Sequence, residues 1–532
     1  MRDGVSWVVV LSSTEVHEPH HHHTGMVEEA RLARRSRMNP IAQRWLDFEE
    51  LAERLLGGQR GVVLTVLRPA PVPLPGAPDP WSRLLSGRLA ATLPGRDPSL
   101  QLLSPEDLVA AIRAVLAAGA ACGIFQVVPA GVVPLRRALR LAGVRRLPVP
   151  RWLQGAERGP WLEYLRYSWT ASGEAAAQGL GFVPNRTSAE AAAGSQPTFR
   201  PRGSRSHKPE SRGAAGRGPS PAQSSRRGSH PAEPSGCLSK PPKPHPAIHA
   251  AAGGYDDWGM DPEYIERRGR DLFRFLHDVY WRVEVRGLEH VPRAGRAVLA
   301  GVHRGFMPFD GVMALHLLVR ETGRYPRFLL HPTLLKFPFL SDFMARLGGV
   351  PACRENADRI LAREGMVAIF PEGIRGAFTP YRRAYRLGRF GRDEYVRIAL
   401  RSRAPIVPFV TLGSAEIFPI VGRIDWGWWK RLTEWPYFPI APPFPLLPVP
   451  LPSKWHTRFL EPLDVAERHG PEDAEDPEVV RLLSLEVRGR MAAAIAGMLA
   501  RRRSVFYGSV FERVPSEGTD GDRPRLEVHP DE

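Results

Sequence analysis

"FPEGIRG", residues 370–376, follows directly on the apolar run Met366-Val367-Ala368-Ile369. A short apolar run bounded by turn residues is consistent with a buried strand, and Pro371-Glu372-Gly373 would end it. Open α/β sheets bind ligands at the carboxyl ends of their strands, so Glu372 and Arg375 on either side of that glycine mark a candidate binding loop. A strand that merely stops beside two solvated charges accounts for the heptapeptide equally well. The flanking sequence has to separate the two.

Outward from the heptapeptide, strand-like runs recur at Val283–Val285, Ala297–Gly301, Val367–Phe370 and Ile406–Leu412, with helical stretches between them. Tyr264–Trp281 places Ile265, Leu272, Phe275, Leu276 and Val279 along one helical face, and Val479–Arg503 reads as a long closing helix that ends in three arginines. Before residue 195 the same alternation appears. Strand-like Trp7–Leu11, Val62–Leu67 and Ile124–Val128 alternate with amphipathic Ile41–Leu56 and Pro105–Ala118. The expected fold class is therefore α/β, with two α/β domains at 1–195 and 251–514. Residues 196–250 are rich in Pro, Ser, Gly and Arg, cannot bury enough apolar surface to offset chain entropy, and are expected to be a disordered basic linker. Residues 515–532 are expected to be a flexible tail.

The chain of 532 residues is 43% hydrophobic, ordinary for globular protein, and carries a net charge of +17. Between Arg200 and His249 stand ten Lys or Arg against two Glu, so nearly half of the surplus lies in the linker. Such charge favours anionic partners: lipid headgroups, phosphate-bearing substrates or nucleic acid. The three cysteines, Cys122, Cys237 and Cys353, are too far apart for a disulfide framework or a zinc pattern and fit a reducing compartment. The run His20–His23 is expected to splay into a solvated loop, and no metal is expected. No secretory leader is read at Met1–Leu11. The charge-free stretch Trp435–Pro452 holds eight prolines and cannot span a bilayer as a helix; it could lie in the interface, with Trp435, Tyr437 and Phe438 at headgroup depth.

The strand Ala297–Gly301 runs into "VHRGFMPFDG", which puts His303 and Asp310 in one loop. A histidine beside a carboxylate can serve as a general base, the carboxylate fixing its tautomer. "GxSxG" is absent, so such a base would activate an incoming hydroxyl directly. Further on come "GGVPACREN", with Arg354, then "FPEGIRG", then "APIVPFVTLGSAE", where Pro408 is expected to interrupt a strand.

This order of four blocks, across roughly residues 258–465, resembles the glycerolipid acyltransferase family, which includes the 1-acylglycerol-3-phosphate acyltransferases. The resemblance implies that His303, with Asp310, deprotonates an acceptor hydroxyl that attacks the thioester of acyl-CoA or acyl carrier protein. It implies that Arg354, Glu372, Gly373 and Arg375 hold the acceptor's phosphate or polar head, a task suited to the planar fork of arginine. No bound cofactor is implied beyond the acyl donor. Six residues separate His303 from Asp310 where the family's commonest block has four; branches reading "H-S-G-G-x-P-x-D" are similar in spacing. The resemblance implies a lysophospholipid or other lipid acceptor, in phospholipid biosynthesis; the proline-rich apolar stretch and the basic surface lead to the expectation of a peripheral site on the cytoplasmic face of an anionic membrane. The arginines of "PYRRAYRLGRFGR", residues 380–392, would face headgroups or CoA phosphates. A nucleic-acid reading would instead take Tyr381, Tyr385 and Phe390 as stacking platforms, and no specific nucleic acid is expected.

The series "VVVLSSTEVHE", "NPIAQRWLDFEELAERL", "VVLTVLRPAPV", "LLSPEDLVAAI", "GIFQVVPAG" and "LRYSWTASGEAAAQGLGFVPNRTSAEA" resembles the latter half of an extended short-chain dehydrogenase/epimerase domain. That family's Tyr-x-x-x-Lys pair would fall on Ile41 and Trp45, which cannot exchange the proton, and Ser12 and Ser13 remain without those partners. No Gly-rich phosphate fingerprint precedes them. Region 1–195 is therefore expected to be non-catalytic and to bind no NAD. Two alternatives to an acyltransferase remain open at this point: a catalytically inactive lipid-binding scaffold, and a nucleotide-sugar epimerase-related protein.

Overall fold

The computed structural model describes residues 5–195 and 255–511, apart from residues 24, 31–38, 58–61, 120, 151, 153–158, 392 and 448. The expected linker, 196–250, and the expected tail, 515–532, lie outside the described residues.

In the first region β1 (Trp7–Leu11), β2 (Val63–Pro69) and β3 (Gly123–Val127) form a parallel sheet in the order β1-β2-β3. The helices α1 (Pro40–Leu56) and α2 (Pro105–Ala118) follow β1 and β2, as parallel pairing requires of its crossovers. Asn39 and Ser104 cap their amino ends, accepting from the backbone N–H groups of Ile41 and Asp107.

The second region is built on a seven-stranded sheet. Its strands are β4 (Glu284–Arg286), β5 (Ala297–Gly301), β6 (Arg327–Leu330), β7 (Gly349–Pro351), β8 (Met366–Ile369), β9 (Ile406–Leu412) and β10 (His456–Phe459), in the order β7-β6-β8-β5-β9-β10-β4. The first five in that order are mutually parallel, while β10 runs antiparallel to β9. All five residues of β5 are buried, as a strand covered on both faces requires. Its side chains alternate between two cores. Ala297 and Leu299 pack with Phe328, Phe409 and Trp455 on one face; Val298 and Ala300 pack with Ile360, Tyr395 and Met491 on the other.

Two expectations are corrected here. The strand β9 runs through Pro408 without interruption, because that residue keeps register with Ala300 and its carbonyl still accepts from the Leu460 N–H at 2.8 Å. The helix expected at Tyr264–Trp281 forms as Pro262–Arg268 and then winds into two π-helical stretches, Gly269–Phe273 and Leu276–Tyr280.

The two regions pack against each other. Met26 enters the second region's core beside Trp258, and the nearly buried Arg359 donates to the Met26 carbonyl and to Glu28, each at 2.7 Å. The Phe339 N–H donates to the Gly95 carbonyl at 2.7 Å, and Arg96 donates to the carbonyls of Leu335 and Lys336.

Candidate active site

Parallel pairing fixes where the candidate residues emerge. Since β5 lies between β8 and β9, the loop after β5 that carries His303 and the loop after β8 that carries Glu372 leave the same sheet edge side by side. Arg354 leaves that edge from β7, three strand spacings or roughly 14 Å from β5.

Asp310 sits in the first turn of α3 (Phe309–Thr322), where the unpaired N–H groups of a helix start favour a carboxylate. It is fully buried. Its Oδ2 accepts from the Arg304 N–H at 2.9 Å and its Oδ1 from the Gly311 N–H at 3.1 Å, so its position is set by backbone. His303 Nδ1 lies 2.6 Å from the same Oδ1. With Nδ1–H donating to Asp310, Nε2 is the basic nitrogen of the ring. The imidazole is mostly covered, its side chain 15% exposed, and the Phe370 ring lies 5.2 Å away. The extra residues between His303 and Asp310 therefore do not keep the two apart. The loop turns at Ser-free "RGFMP" and α3 returns the carboxylate beneath the imidazole.

Glu372 departs from its expected role as a ligand for the acceptor. Its two oxygens accept from Arg304 Nη1 at 2.6 Å and Nη2 at 3.1 Å, and from the Gly388 N–H at 2.7 Å. Both side chains are almost wholly buried. The physical reason lies in Arg304, which sequence reasoning passed over. A guanidinium buried beside His303 must have an anion, and Glu372 supplies it. Arg304 also donates to the carbonyls of His303, Ala384 and Arg386, tying the 384–388 segment to the His303 loop. An Arg immediately after the candidate base, inside an apolar loop, was the signal available for it. Gly376 makes room for the pair: a Cβ there would lie 2.7 Å from Glu372 Cβ and 3.3 Å from Arg304 Nη1.

Arg375 faces the other way. It is exposed, on the short helix α4 (Gly373–Ala377) that opens at Gly373, and Gly373 takes the left-handed turn with φ of +57°. Arg354 is exposed at the start of the helix Arg354–Ala362 and pairs with Asp358 at 3.3 Å. The structure thus gathers His303, Asp310 and Glu372 around Arg304, leaves Arg375 facing solvent in the adjoining loop, and places Arg354 farther along the edge. Beyond them Arg382, Arg383, Arg386 and Arg389 are exposed. Phe390 is buried, and the Tyr385 hydroxyl donates to Glu416 while burial pushes its pKa well up, so neither ring is a stacking platform.

A family model described as Acyltransferase matches residues 282–412, which hold the whole of this arrangement. An uncharacterized protein of Mycobacterium tuberculosis (strain ATCC 25618 / H37Rv) is 39% identical over 260 residues, 48% of this chain and 72% of that protein. The chain belongs to the acyltransferase family. Phytyl ester synthase 2 of Arabidopsis thaliana is 25% identical over 267 residues, 44% of this chain and 37% of its own length. Among solved structures, the 1-acyl-sn-glycerophosphate acyltransferase PlsC of Thermotoga maritima is similar with a TM-score of 0.30, at 20% identity over 46% of this chain and 81% of that one.

In the first region of this acyltransferase, Ile41 and Trp45, where the resemblance would put a Tyr-x-x-x-Lys pair, are taken up by packing and hydrogen bonding. Ile41 packs against a buried cluster, and Trp45 and Trp81 donate to the two oxygens of Glu15 at 3.0 and 2.8 Å. Ser12 donates at 2.5 Å to Glu49, which is bound to the buried Arg68. Ser13 caps the short turn Thr14–Val16.

Proposed function

We propose that this acyltransferase moves a fatty acyl group from acyl-CoA or acyl carrier protein to a glycerolipid hydroxyl such as that of lysophosphatidic acid. The observation that carries the proposal is the 2.6 Å contact between His303 Nδ1 and Asp310. It leaves Nε2 to take the proton of the acceptor hydroxyl as the oxygen attacks the thioester carbonyl. The carbon–sulfur bond then breaks, and the imidazolium, stabilised by Asp310, returns its proton to the leaving thiolate. Arg375 is the exposed guanidinium nearest in sequence to this site and is assigned the acceptor's phosphate; Glu372 holds Arg304 and does not meet substrate.

The same reading places the enzyme peripherally on a membrane, at its cytoplasmic face. No described helix is long and apolar enough to cross a bilayer. The aromatic residues expected at headgroup depth are corrected: Trp435 and Tyr437 are buried in the core, and Phe438 is half-buried. Exposed apolar residues in the same part of the chain include Trp426, Trp428, Leu446 and Leu447.

Labelled acyl-CoA and labelled acyl carrier protein, each offered with a panel of lysophospholipids and long-chain alcohols, test the proposal. Transfer to a glycerolipid hydroxyl by the full chain, lost in His303→Ala, is the expected result. Transfer to none of the acceptors from either donor would leave the lipid-binding scaffold in its place, and transfer confined to the alcohols would replace the acceptor class.

A further inference from the structure

We propose that His20, His21, His22 and Glu434 form a divalent metal site, for which Zn²⁺ is the fitting ion, joining the first region to the acyltransferase domain. The consecutive imidazoles were expected to diverge. Instead, one ligand nitrogen from each of His20, His21 and His22 lies within 4.8 Å of the others, the His21 ring centroid being 4.0 and 4.1 Å from those of its neighbours. The gathering point is a carboxylate from the other region. Glu434 Oε1 lies 3.3 Å from His21 Nε2 and 3.9 Å from His22 Nε2.

These separations suit a metal. Zn–N bonds of about 2.0–2.1 Å set tetrahedral ligand atoms roughly 3.3–3.4 Å apart. The His21–Glu434 edge already has that length, the His22–Glu434 edge is 3.9 Å, and the three histidine ligand atoms stand within 4.8 Å of one another, so metal binding would draw them closer. His20 Nδ1 accepts a long 3.2 Å contact from the His22 N–H, which this ring would give up to ligate through that nitrogen. Glu434 ends the helix Gly427–Thr433 with φ of +58°, an uncommon conformation for a residue other than glycine.

The charge balance points the same way. A divalent ion binds imidazole in its neutral form, so the three rings would enter the site uncharged. Neutral imidazoles do not offset the Glu434 charge. Lys336 does, its Nζ in contact with the same Oε1 that faces the histidines. A dication among three neutral imidazoles and one carboxylate would take over the part that Lys336 plays, with Lys336 as its competitor.

The test uses the full chain, stripped with a chelator and titrated with Zn²⁺ by calorimetry, and with Co²⁺ followed by visible absorption. One ion per chain and an intense tetrahedral cobalt band are expected. Glu434→Gln and His22→Gln alter part-exposed and exposed side chains and should each weaken binding by at least about tenfold, the low end of what even outer-shell partners cost. Lys336→Met should strengthen it. Circular dichroism of each variant separates loss of the site from loss of the fold. No stoichiometric binding, or Zn²⁺ affinity unchanged in folded Glu434→Gln, would overturn the proposal; the second result would reduce it to loose capture by a histidine run.

Discussion

His303 has one nitrogen committed to Asp310 and one available, and that asymmetry sets the expected outcomes of mutation. His303→Ala should lower transfer by about 10²- to 10⁴-fold, the usual contribution of a positioned base, with the fold retained. Asp310→Asn should cost less, since a carboxamide oxygen at the Oδ1 position still accepts from His303 and the Gly311 N–H, while its NH2 meets the Arg304 N–H and the imidazolium loses its counter-charge. Steady-state rates with circular dichroism check both, and near wild-type turnover in His303→Ala would refute the mechanism. Glu372→Ala belongs to a different class. It strands a buried guanidinium, so a stability loss of about 3–5 kcal/mol is expected in denaturant unfolding. Arg375→Ala should leave stability alone and raise the KM of phosphorylated acceptors. An unchanged KM would remove Arg375 from the site.

At the scale of elements, the question is which segment meets the membrane. The ribbon of Gly422–Ile424 and Phe438–Ile440 carries an apolar flank. Trp426 and Trp428 stack at 5.7 Å, Trp426 lies 5.3 Å from Phe438, and the loop beyond exposes Leu446 at 89% and Leu447 at 60%. Removing residues 436–450 would take Tyr437 and Ala441 out of the core, so point substitutions are the cleaner probe. The pairs Trp426→Ser with Trp428→Ser, and Leu446→Ser with Leu447→Ser, should each weaken sedimentation with anionic vesicles at high salt. Neutralising Arg382 and Arg383 should matter only at low salt, because attraction between exposed charges is screened within about 8 Å at physiological ionic strength. Salt-resistant binding that survives both serine pairs would place the anchor elsewhere.

For the whole molecule, the first region packs on the second, and its resemblance carries neither a Gly-rich phosphate loop nor, at Ile41 and Trp45, the Tyr-x-x-x-Lys pair. Calorimetric titration of the full chain with NAD should therefore show no heat. Residues 250–532 alone should transfer acyl groups but melt below the full chain, because Arg359 would lose Glu28, Glu174 and the Met26 carbonyl while remaining charged. Tight NAD binding, or a shortened chain with no transferase activity, would give the first region a role beyond packing. The acyltransferase domain also has a predictable acid limb. Burial pushes His316 and His456 down to about 4 from an ordinary 6.5, so the folded state holds both rings neutral. The stability they contribute is complete above pH 6.5 and is lost as pH falls from 6.5 through 4, where unfolding gains protons. A melting temperature that stays flat from pH 7.5 to 4.5 would contradict this; His316→Phe should flatten that limb in part.

What the sequence determined by itself was local. Apolar runs of strand length, amphipathic helical spacing, and the succession of His303, Asp310 and "FPEGIRG" were enough for the α/β class, the helix Pro105–Ala118 and the pairing of His303 with Asp310. Those signals are written in neighbouring residues, and covalent spacing carries them. The tertiary structure decided what depends on partners far along the chain. Glu372 and Arg375, three residues apart, face opposite ways because Arg304, 68 residues upstream of Glu372, needs a buried anion. Trp435 is core and Trp426 surface because the ribbon folds one against the sheet and leaves the other outside. His21 and Glu434 meet across 413 positions for a reason no local pattern contains: the packing of one region against the other places an imidazole and a carboxylate at a single point.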